Sequence, residues 1–147
     1  MSDPVLMAVQ DSWDWTGVAA EAVTATSAFG HLIVRDAVGA FWYLDPELRA
    51  FERVAADEAG LFAHMKQHEV REIWEAEALV GVAAERLGAP GPGECYSLVP
   101  RALIAGDYAH ENLWIVPVAE LIRFTGDFEQ QTRHLSSGTP ISFKVVD

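Results

Sequence analysis

The chain has 147 residues, of which half are apolar and a tenth aromatic, and its 10 Lys and Arg against 22 Asp and Glu give a net charge of -12. This composition excludes a disordered chain, and the length fits a single domain, which we expect to span residues 1–147. The negative charge disfavours direct binding to nucleic acid or anionic membranes, whereas a basic protein partner would be attracted. Solubility alone explains the charge equally well, because net charge does not locate the carboxylates.

The sequence gives no indication of export or membrane insertion. The first residues include Asp3, where a signal peptide carries basic residues, and the apolar run that follows is short. No segment approaches the roughly 20 apolar residues that a spanning helix needs. The lone Cys95 suits a reducing compartment and, without a basic neighbour, is expected to be a buried structural thiol. We therefore predict a soluble, cytoplasmic protein.

A β-hairpin is the clearest element of the N-terminal half. Residues 31–36 and 40–45 are rich in β-forming side chains and flank a turn in which Gly39 can take positive φ. Residues 51–55 fit a third short strand. The segment before them, residues 1–27, contains two tryptophans and fits either a short helix or an irregular lead-in.

Two helices are predicted after the hairpin. Asp57 is a suitable N-cap for a helix that ends near residue 68 and places its apolar side chains on one face: Leu61, Phe62 and Met65. A longer helix is predicted over residues 70–87, because apolar side chains recur there at steps of three and four residues. Its inward-facing stripe consists of Ile73, Ala76, Val80, Ala83 and Leu87. Gly88 is expected to end it.

The C-terminal half alternates strands and helices. Strands are predicted over residues 95–99, 113–116 and 141–145. Between the last two, Pro117 begins a helix that Gly126 ends, and Asp127 caps a final helix to about residue 135. This order of elements is typical of an α+β fold, with an antiparallel or mixed sheet and helices packed on one side of it.

Motifs of the common enzyme classes are missing from the sequence. It contains no Gly-x-x-x-x-Gly-Lys phosphate loop, no Gly-x-Ser-x-Gly elbow and no Cys-x-x-Cys pair. His64 and His68 would share a face if one helix carried both, but two ligands do not make a metal site, and a surface histidine pair is favoured. We expect no catalytic residue, no metal and no cofactor.

Two acidic segments are candidates for contact with a partner. Residues 107–112 include His110, which could act as a base oriented by a neighbouring carboxylate, or could belong to a turn closed by Asp and Asn side chains. Carboxylates beside an aromatic ring could equally contact a basic protein. The candidate contact residues are Asp107, Tyr108 and Glu111, followed by Glu69, Glu72 and Glu75 along the long helix. Trp114, although close to the loop, is expected to be core.

Short motifs of aromatic, Gly, Pro and Asn residues are distributed along nearly the whole chain. In the N-terminal half they are Trp-Asp-Trp-Thr-Gly at 13–17, Phe-Gly-His-Leu at 29–32 and Ala-Phe-Trp-Tyr-Leu-Asp-Pro-Glu at 40–47. In the C-terminal half they are Cys-Tyr-Ser-Leu-Val-Pro at 95–100, Gly-Asp-Tyr at 106–108, Glu-Asn-Leu at 111–113 and Thr-Gly-Asp at 125–127. With these motifs the chain resembles the short immunity proteins of bacterial type VI secretion systems, called GAD-related or Tdi-type immunity domains. One departure is Ala105, which replaces the first Gly of a Gly-Gly pair before the Asp-Tyr turn.

The resemblance implies an antitoxin-like protein that binds a toxic effector, a nuclease, before it damages the DNA of its own cell. It implies blockade without turnover and transfers no catalytic residue. The charge agrees, since a nuclease presents a basic surface to DNA and an acidic inhibitor can occupy that surface. Two alternatives stay open: an enzyme that uses the loop 107–112, and a general adaptor or regulatory binding module.

Overall fold

The computed structural model describes residues 3–98 and 113–132. In chain order the elements are α1 (Pro4–Ser12), a 3-10 helix (Asp14–Thr16), β1 (Ala20–Thr26), β2 (Leu32–Asp36), β3 (Phe41–Asp45), β4 (Ala50–Ala55), α2 (Glu58–Met65), α3 (His68–Glu75), α4 (Glu77–Leu87), β5 (Glu94–Ser97), β6 (Trp114–Pro117) and α5 (Val118–Thr132). The first four strands form an antiparallel sheet in the order β1-β2-β3-β4, and β5 pairs antiparallel with β6. The predicted α+β class with an antiparallel sheet is confirmed.

The turn of the predicted hairpin, between β2 and β3, is held by one carboxylate. Asp36 Oδ1 accepts hydrogen bonds from the amides of Val38 and Ala40 at 3.0 and 2.9 Å, and Gly39 takes a φ of 87°. Asp36 Oδ2 accepts a third bond from the indole N–H of Trp42 at 2.8 Å. This indole bond is the main reason why the pKa of the Asp36 carboxyl is lowered. The hairpin is confirmed, and the predicted third strand follows it as β4.

The segment before the hairpin contains a helix and a strand. Asp3 caps α1 by accepting bonds from the amides of Val5 and Leu6 at 3.0 and 3.3 Å, and Pro4 suits the first helical position. Of the two open interpretations, the short helix is correct as far as Ser12. The pairing of β1 with β2 was not predicted, because β1 is rich in alanine, a weak β-former, and pairs with register shifts.

One face of the sheet, called here the inner face, packs against α1, α5 and β5. Its largest fully buried side chains are Val9, Trp13, Leu32, Val34, Leu44, Cys95, Val118 and Ile122. The indole N–H of Trp13 donates to the carbonyl oxygen of Ile122 at 3.1 Å. A Cβ at Gly126 would lie 2.5 Å from the carbonyl oxygen of Ser12, so α1 and α5 approach closely because this residue has no side chain.

The opposite face of the sheet, the outer face, carries a second apolar cluster built on Ile33, Phe41 and Ala55. It is covered by Leu61 and Met65 of α2 and by Trp74 of α3, although neither helix contains a buried residue. Helices therefore lie on both faces of the sheet, and the prediction of helices on one side is wrong. The reason is that successive side chains of β2 and β3 are apolar on both faces.

The predicted long helix over residues 70–87 is wrong, because the chain breaks at Ala76. This residue has a φ of 45° and separates α3 from α4. Val80, Ala83 and Leu87 of the predicted stripe do pack inward, against Tyr96, Leu98 and Leu113. Ile73 does not: it is 56 % exposed, and the neighbouring Trp74 contacts the sheet instead. Because the two helices point in different directions, side chains before Ala76 do not continue the inward-facing stripe of α4.

The C-terminal helix also differs from expectation. Gly126 does not end it, and Asp127 does not cap a new helix, because α5 continues through both to Thr132. The glycine is explained by the close approach of α1 rather than by a helix end. The helix predicted to end near residue 68 stops at Met65, and the strand predicted over residues 141–145 lies outside the described residues.

Cys95 is fully buried in β5, as predicted. Burial, with a smaller contribution from the neighbouring Glu94, raises the pKa of its thiol to about 12. A thiol with so high a pKa is a structural group and not a nucleophile at neutral pH. Within residues 3–98 and 113–132, no helix is long and apolar enough to cross a bilayer.

Candidate functional site

Three of the six candidate contact residues lie on α3, and all three are exposed: Glu69, Glu72 and Glu75. Glu72 Oε1 is 3.1 Å from His68 Nε2, and Glu75 Oε1 is 3.5 Å from Arg71 Nη2. Exposed pairs four residues apart on a helix contribute less than about 1 kcal/mol. A cationic group from a partner can therefore replace these internal partners at little cost.

A cleft of about 610 Å³ opens where α3 meets α4. Its lining includes Arg71, Glu72, Glu75, Glu77 and Leu79. The cleft exists because the chain turns at Ala76, whose left-handed conformation costs an L-residue roughly 1–2 kcal/mol. The turn thus brings the carboxylates of the last turn of α3 and the first turn of α4 around one concave surface.

The other three candidates, Asp107, Tyr108 and Glu111, lie outside the described residues, as does His110. Their role in partner binding therefore stays a prediction. Trp114 is described, and the expectation that it is core is wrong, since it is 36 % exposed. The next residue of the strand, Ile115, points to the other side of β6 and packs against the cluster that contains Ala83 and Tyr96.

His64 and His68 do not share a helical face, because α2 ends before His68 and α3 begins with it. His68 pairs with Glu72, while His64 lines a groove beside β4. No cluster of three or more potential metal ligands occurs in the part of the chain that the structure describes. The structural separation removes the basis for a joint metal site at these two histidines.

A buried polar network that sequence analysis missed joins His31, the residue before β2, to the end of β3. The hydroxyl of Tyr43 is 2.7 Å from His31 Nδ1, and His31 Nε2 is 3.6 Å from Asp45 Oδ1. Burial lowers the pKa of His31 more than the neighbouring Asp45 carboxylate raises it, which favours the neutral form of the ring. Asp45 Oδ1 also accepts bonds from the amides of Glu47 and Leu48 at 3.0 and 3.1 Å.

This network positions the β3–β4 turn. His31 is 6 % exposed, so its ring is shielded from solvent while its partners fix the backbone from Asp45 to Leu48. Tyr43, in turn, makes an edge-to-face contact with Trp74 of α3, at 5.8 Å between ring centroids. The polar network therefore contacts α3, called here the acidic helix because it carries Glu69, Glu72 and Glu75. The pattern of alternating side chains in β3 placed Tyr43 and Asp45 on one face, but the pairing with His31 depends on register.

Two apolar grooves border the layer formed by α2 and α3. The first, called the Phe62 groove, has a volume of about 430 Å³ and lies over β1, β2 and β3. The second, called the Leu48 groove, has a volume of about 230 Å³ and lies between the β3–β4 turn and α3. Phe62, Leu48 and Ile73, at their rims, are 66 %, 73 % and 56 % exposed. Sequence analysis placed Ile73 on an inward face, which is wrong, whereas Phe62 lines its groove together with Leu61 and Met65, the two residues predicted to share its face.

The acidic helix α3 lies within one segment of the chain, and this segment supplies only part of the lining of the two grooves. Residues 55–129 match the family model described as T6SS immunity protein Tdi1, C-terminal, and this match covers slightly more than half of the chain. The matched segment begins with the last residue of β4 and ends within α5, so it contains α2, α3 and α4. Among curated proteins, none is similar enough to count as a match. The chain belongs to the T6SS immunity protein Tdi1 C-terminal family, which confirms its resemblance to the immunity proteins of type VI secretion systems.

Proposed function

We propose that this protein is a type VI secretion immunity protein that binds its cognate effector, a basic nuclease, and blocks it with the acidic surface of α3. It acts as one domain spanning residues 1–147 and works in the cytoplasm, where a nuclease would reach the DNA. The observation that carries the proposal is the exposure of Glu69, Glu72 and Glu75 on a helix inside the segment that matches the immunity family.

Electrostatics favours this use of α3. A nuclease must present Lys and Arg to the phosphates of DNA, and these side chains need new anionic partners when an inhibitor displaces DNA. Carboxylates on α3 can serve because their internal partners are exposed residues of the same helix. The net charge of -12 would also accelerate encounter with a basic protein.

Blockade needs no chemistry on the effector. An inhibitor that covers the DNA-binding surface competes with DNA in proportion to its affinity, so no catalytic group is required. Asp107, Tyr108 and Glu111 are proposed to extend the contact of α3, with Tyr108 as an aromatic anchor between carboxylates.

The function is tested by co-expression. The candidate effector encoded beside this gene is produced in a sensitive host with and without this protein, and viability and chromosomal DNA integrity are followed. Survival with intact DNA supports immunity against a nuclease. Survival against a toxin that never cuts DNA would retain immunity and refute the nuclease. Death despite a soluble protein would refute the immunity function.

The role of α3 is tested by charge reversal with a matched control. The triple change Glu69→Lys, Glu72→Lys and Glu75→Lys moves the net charge from -12 to -6, because each substitution adds two charges. The same change in charge is made at three exposed glutamates on other elements: Glu21, Glu85 and Glu120. We expect the α3 variant to lose protection and to associate with the effector roughly tenfold more slowly than the control. Equal losses in both variants would show that only net charge matters.

A further inference from the structure

The Leu48 groove combines exposed apolar side chains with an apolar floor that the fold leaves open. Leu48 and Ile73 rise from different elements on its two sides, at 73 % and 56 % exposure. Between them the floor includes Ala50, Val54 and Val70, each only partly buried. At about 230 Å³ the groove is smaller than the roughly 300–1,000 Å³ of small-molecule pockets. Its size suits one or two side chains of a protein partner better than a cofactor.

The groove is also rigid on the side of the turn. The amide of Leu48 is bound to Asp45 Oδ1 at 3.1 Å, and Asp45 faces the buried ring of His31. Tyr43, whose hydroxyl contacts the same ring, forms part of the groove wall. Leu48 is therefore exposed on a backbone that is already fixed, which reduces the entropy lost when a partner orders it.

The charges around the groove select a basic occupant. Among the described residues, its lining contains the carboxylates of Asp45 and Glu52 and no Lys or Arg. Arg49, adjacent to Leu48, is directed elsewhere: its Nε is 2.9 Å from Glu129 Oε2 and its guanidinium lies 5.0 Å from the Phe128 ring centroid. A Lys or Arg placed here would meet the exposed carboxylate of Glu52, whereas the Asp45 carboxylate is buried and already accepts two amide hydrogen bonds.

The Phe62 groove is less suited to the same occupant. The Lys66 amine lies 4.2 Å from the centroid of the Phe62 ring, and Arg35 contributes to the lining. A second copy of this chain is a poor occupant of either groove, because each copy carries a net charge of -12. Of the possible combinations, a basic segment in the Leu48 groove best satisfies both shape and charge.

We infer that the Leu48 groove anchors an apolar side chain carried on a basic segment of the effector, next to the carboxylates of α3. This inference rests on the proposed function and deepens it, because it locates an apolar anchor where the α3 surface alone supplies only charge. Burial of an apolar anchor slows dissociation, whereas the exposed carboxylates mainly accelerate association. Salt should therefore weaken the contribution of the carboxylates by screening and leave the contribution of the apolar anchor largely unchanged.

The test uses the full chain and the purified effector encoded beside its gene. The double variant Leu48→Ala and Ile73→Ala is compared with a control that truncates two exposed apolar residues elsewhere, Val38→Ala and Phe62→Ala. Dissociation constants are measured at physiological salt and at about 1 M salt, where the Debye length is about 3 Å. We expect the groove variant to bind roughly tenfold more weakly than the control, with the ratio preserved at high salt. The variant Glu52→Lys should weaken binding only at physiological salt.

Each outcome separates the groove from the proposed function. If the unmodified protein binds the effector and the folded groove variant binds equally well, the anchor is refuted while immunity stands. If the unmodified protein does not bind, both are refuted. If the protein alone sediments as a dimer and the groove variant as a monomer, a second copy covers the groove and the inference is overturned. Unfolding midpoints of both variants establish that the changes in affinity do not arise from misfolding.

Discussion

The two faces of the four-stranded sheet differ in how completely they are covered. On the inner face, Leu32, Val34 and Leu44 are fully buried, and Trp13 and Ile122 tie α1 to α5 by an indole-to-carbonyl bond. On the outer face, α2 and α3 contain no buried residue, and two open grooves separate them from the strands. The same strands thus support a close-packed core on one side and a loosely packed layer on the other.

Under the proposed function, this difference places stability and binding on different faces. A close-packed core contributes most of the free energy of folding, and any change of volume there is costly. Layers with few buried contacts open locally at small cost and are commonly used for recognition. The acidic helix and both grooves belong to the loosely packed layer, so substitutions on the outer face should alter binding before they alter folding.

The comparison is tested most strongly by truncating one isoleucine on each face. Ile122→Ala should reduce the free energy of unfolding by about 3 kcal/mol, because Ile122 is fully buried against α1 and the sheet. Ile73→Ala should cost less than about 1 kcal/mol, since Ile73 is more than half exposed. Guanidinium unfolding of both variants measures the difference. Equal losses would show that the outer layer is as integral to the fold as the core.

Two glycines within helices, Gly126 in α5 and Gly81 in α4, differ in how closely neighbouring atoms pack against them. Gly126→Ala should lower the free energy of unfolding by about 2 kcal/mol, because the new Cβ would lie 2.5 Å from the Ser12 carbonyl oxygen and 2.7 Å from Trp13 Nε1. Gly81→Ala in α4 meets nothing within 4 Å and should raise it by up to about 1 kcal/mol through helix propensity. The midpoints of thermal and denaturant unfolding should fall for Gly126→Ala and rise for Gly81→Ala. A stable Gly126→Ala variant would contradict the tight α1–α5 contact.

The break between α3 and α4 offers a test on the outer layer. Ala76→Gly should stabilise the protein by about 1 kcal/mol, because glycine adopts a φ of 45° without the clash of a Cβ. Ala84→Gly, at an exposed position in the interior of α4, should instead destabilise by up to about 1 kcal/mol. Denaturant unfolding of the two variants decides the matter. Destabilisation by both would mean that Ala76 is helical and that the helix is continuous.

The smallest expected effect is a change in pH dependence at the network beneath the β3–β4 turn. Burial lowers the pKa of His31 in the fold, so below about pH 6.5 the unfolded chain binds a proton that the native protein does not. Stability from this group is complete above that pH and falls as the pH decreases through it. His31→Gln should therefore show a shallower loss between about pH 7.5 and 5.5. Glu47 and Asp127, whose pKa values are raised by burial, remain in both proteins and cancel in the comparison. Parallel curves would exclude a titrating role for His31.

Sequence patterns predicted the individual elements better than the contacts between them. The hairpin with Gly39, the strands around Cys95 and Leu113, and the cap at Asp57 were all recognisable, because local propensities and packing agree there. The prediction of one continuous helix was wrong at Ala76, because alanine favours a helix and gives no indication of a left-handed conformation. Gly126 was read as a helix end, because its close contact with α1 joins residues far apart in the sequence.

The candidate site could be predicted only in part. Glu69, Glu72 and Glu75 were recognisable as exposed because glutamate is seldom buried, and the structure places all three on one helix. The Leu48 groove was not predictable, since it depends on the angle between a turn and a helix. The network of His31, Tyr43 and Asp45 likewise depends on strand register, which brings Ile33 opposite Tyr43.

The bond between Trp13 and Ile122 spans 109 positions of the chain. At synthesis rates of roughly 5–20 residues per second, about 5–20 s pass between the appearance of these two residues on the ribosome. During that interval the apolar inner face of the sheet has no α5 to cover it. Protection of a cell would therefore begin only after this delay, which sets a lower limit on how soon new copies can meet a newly made toxin.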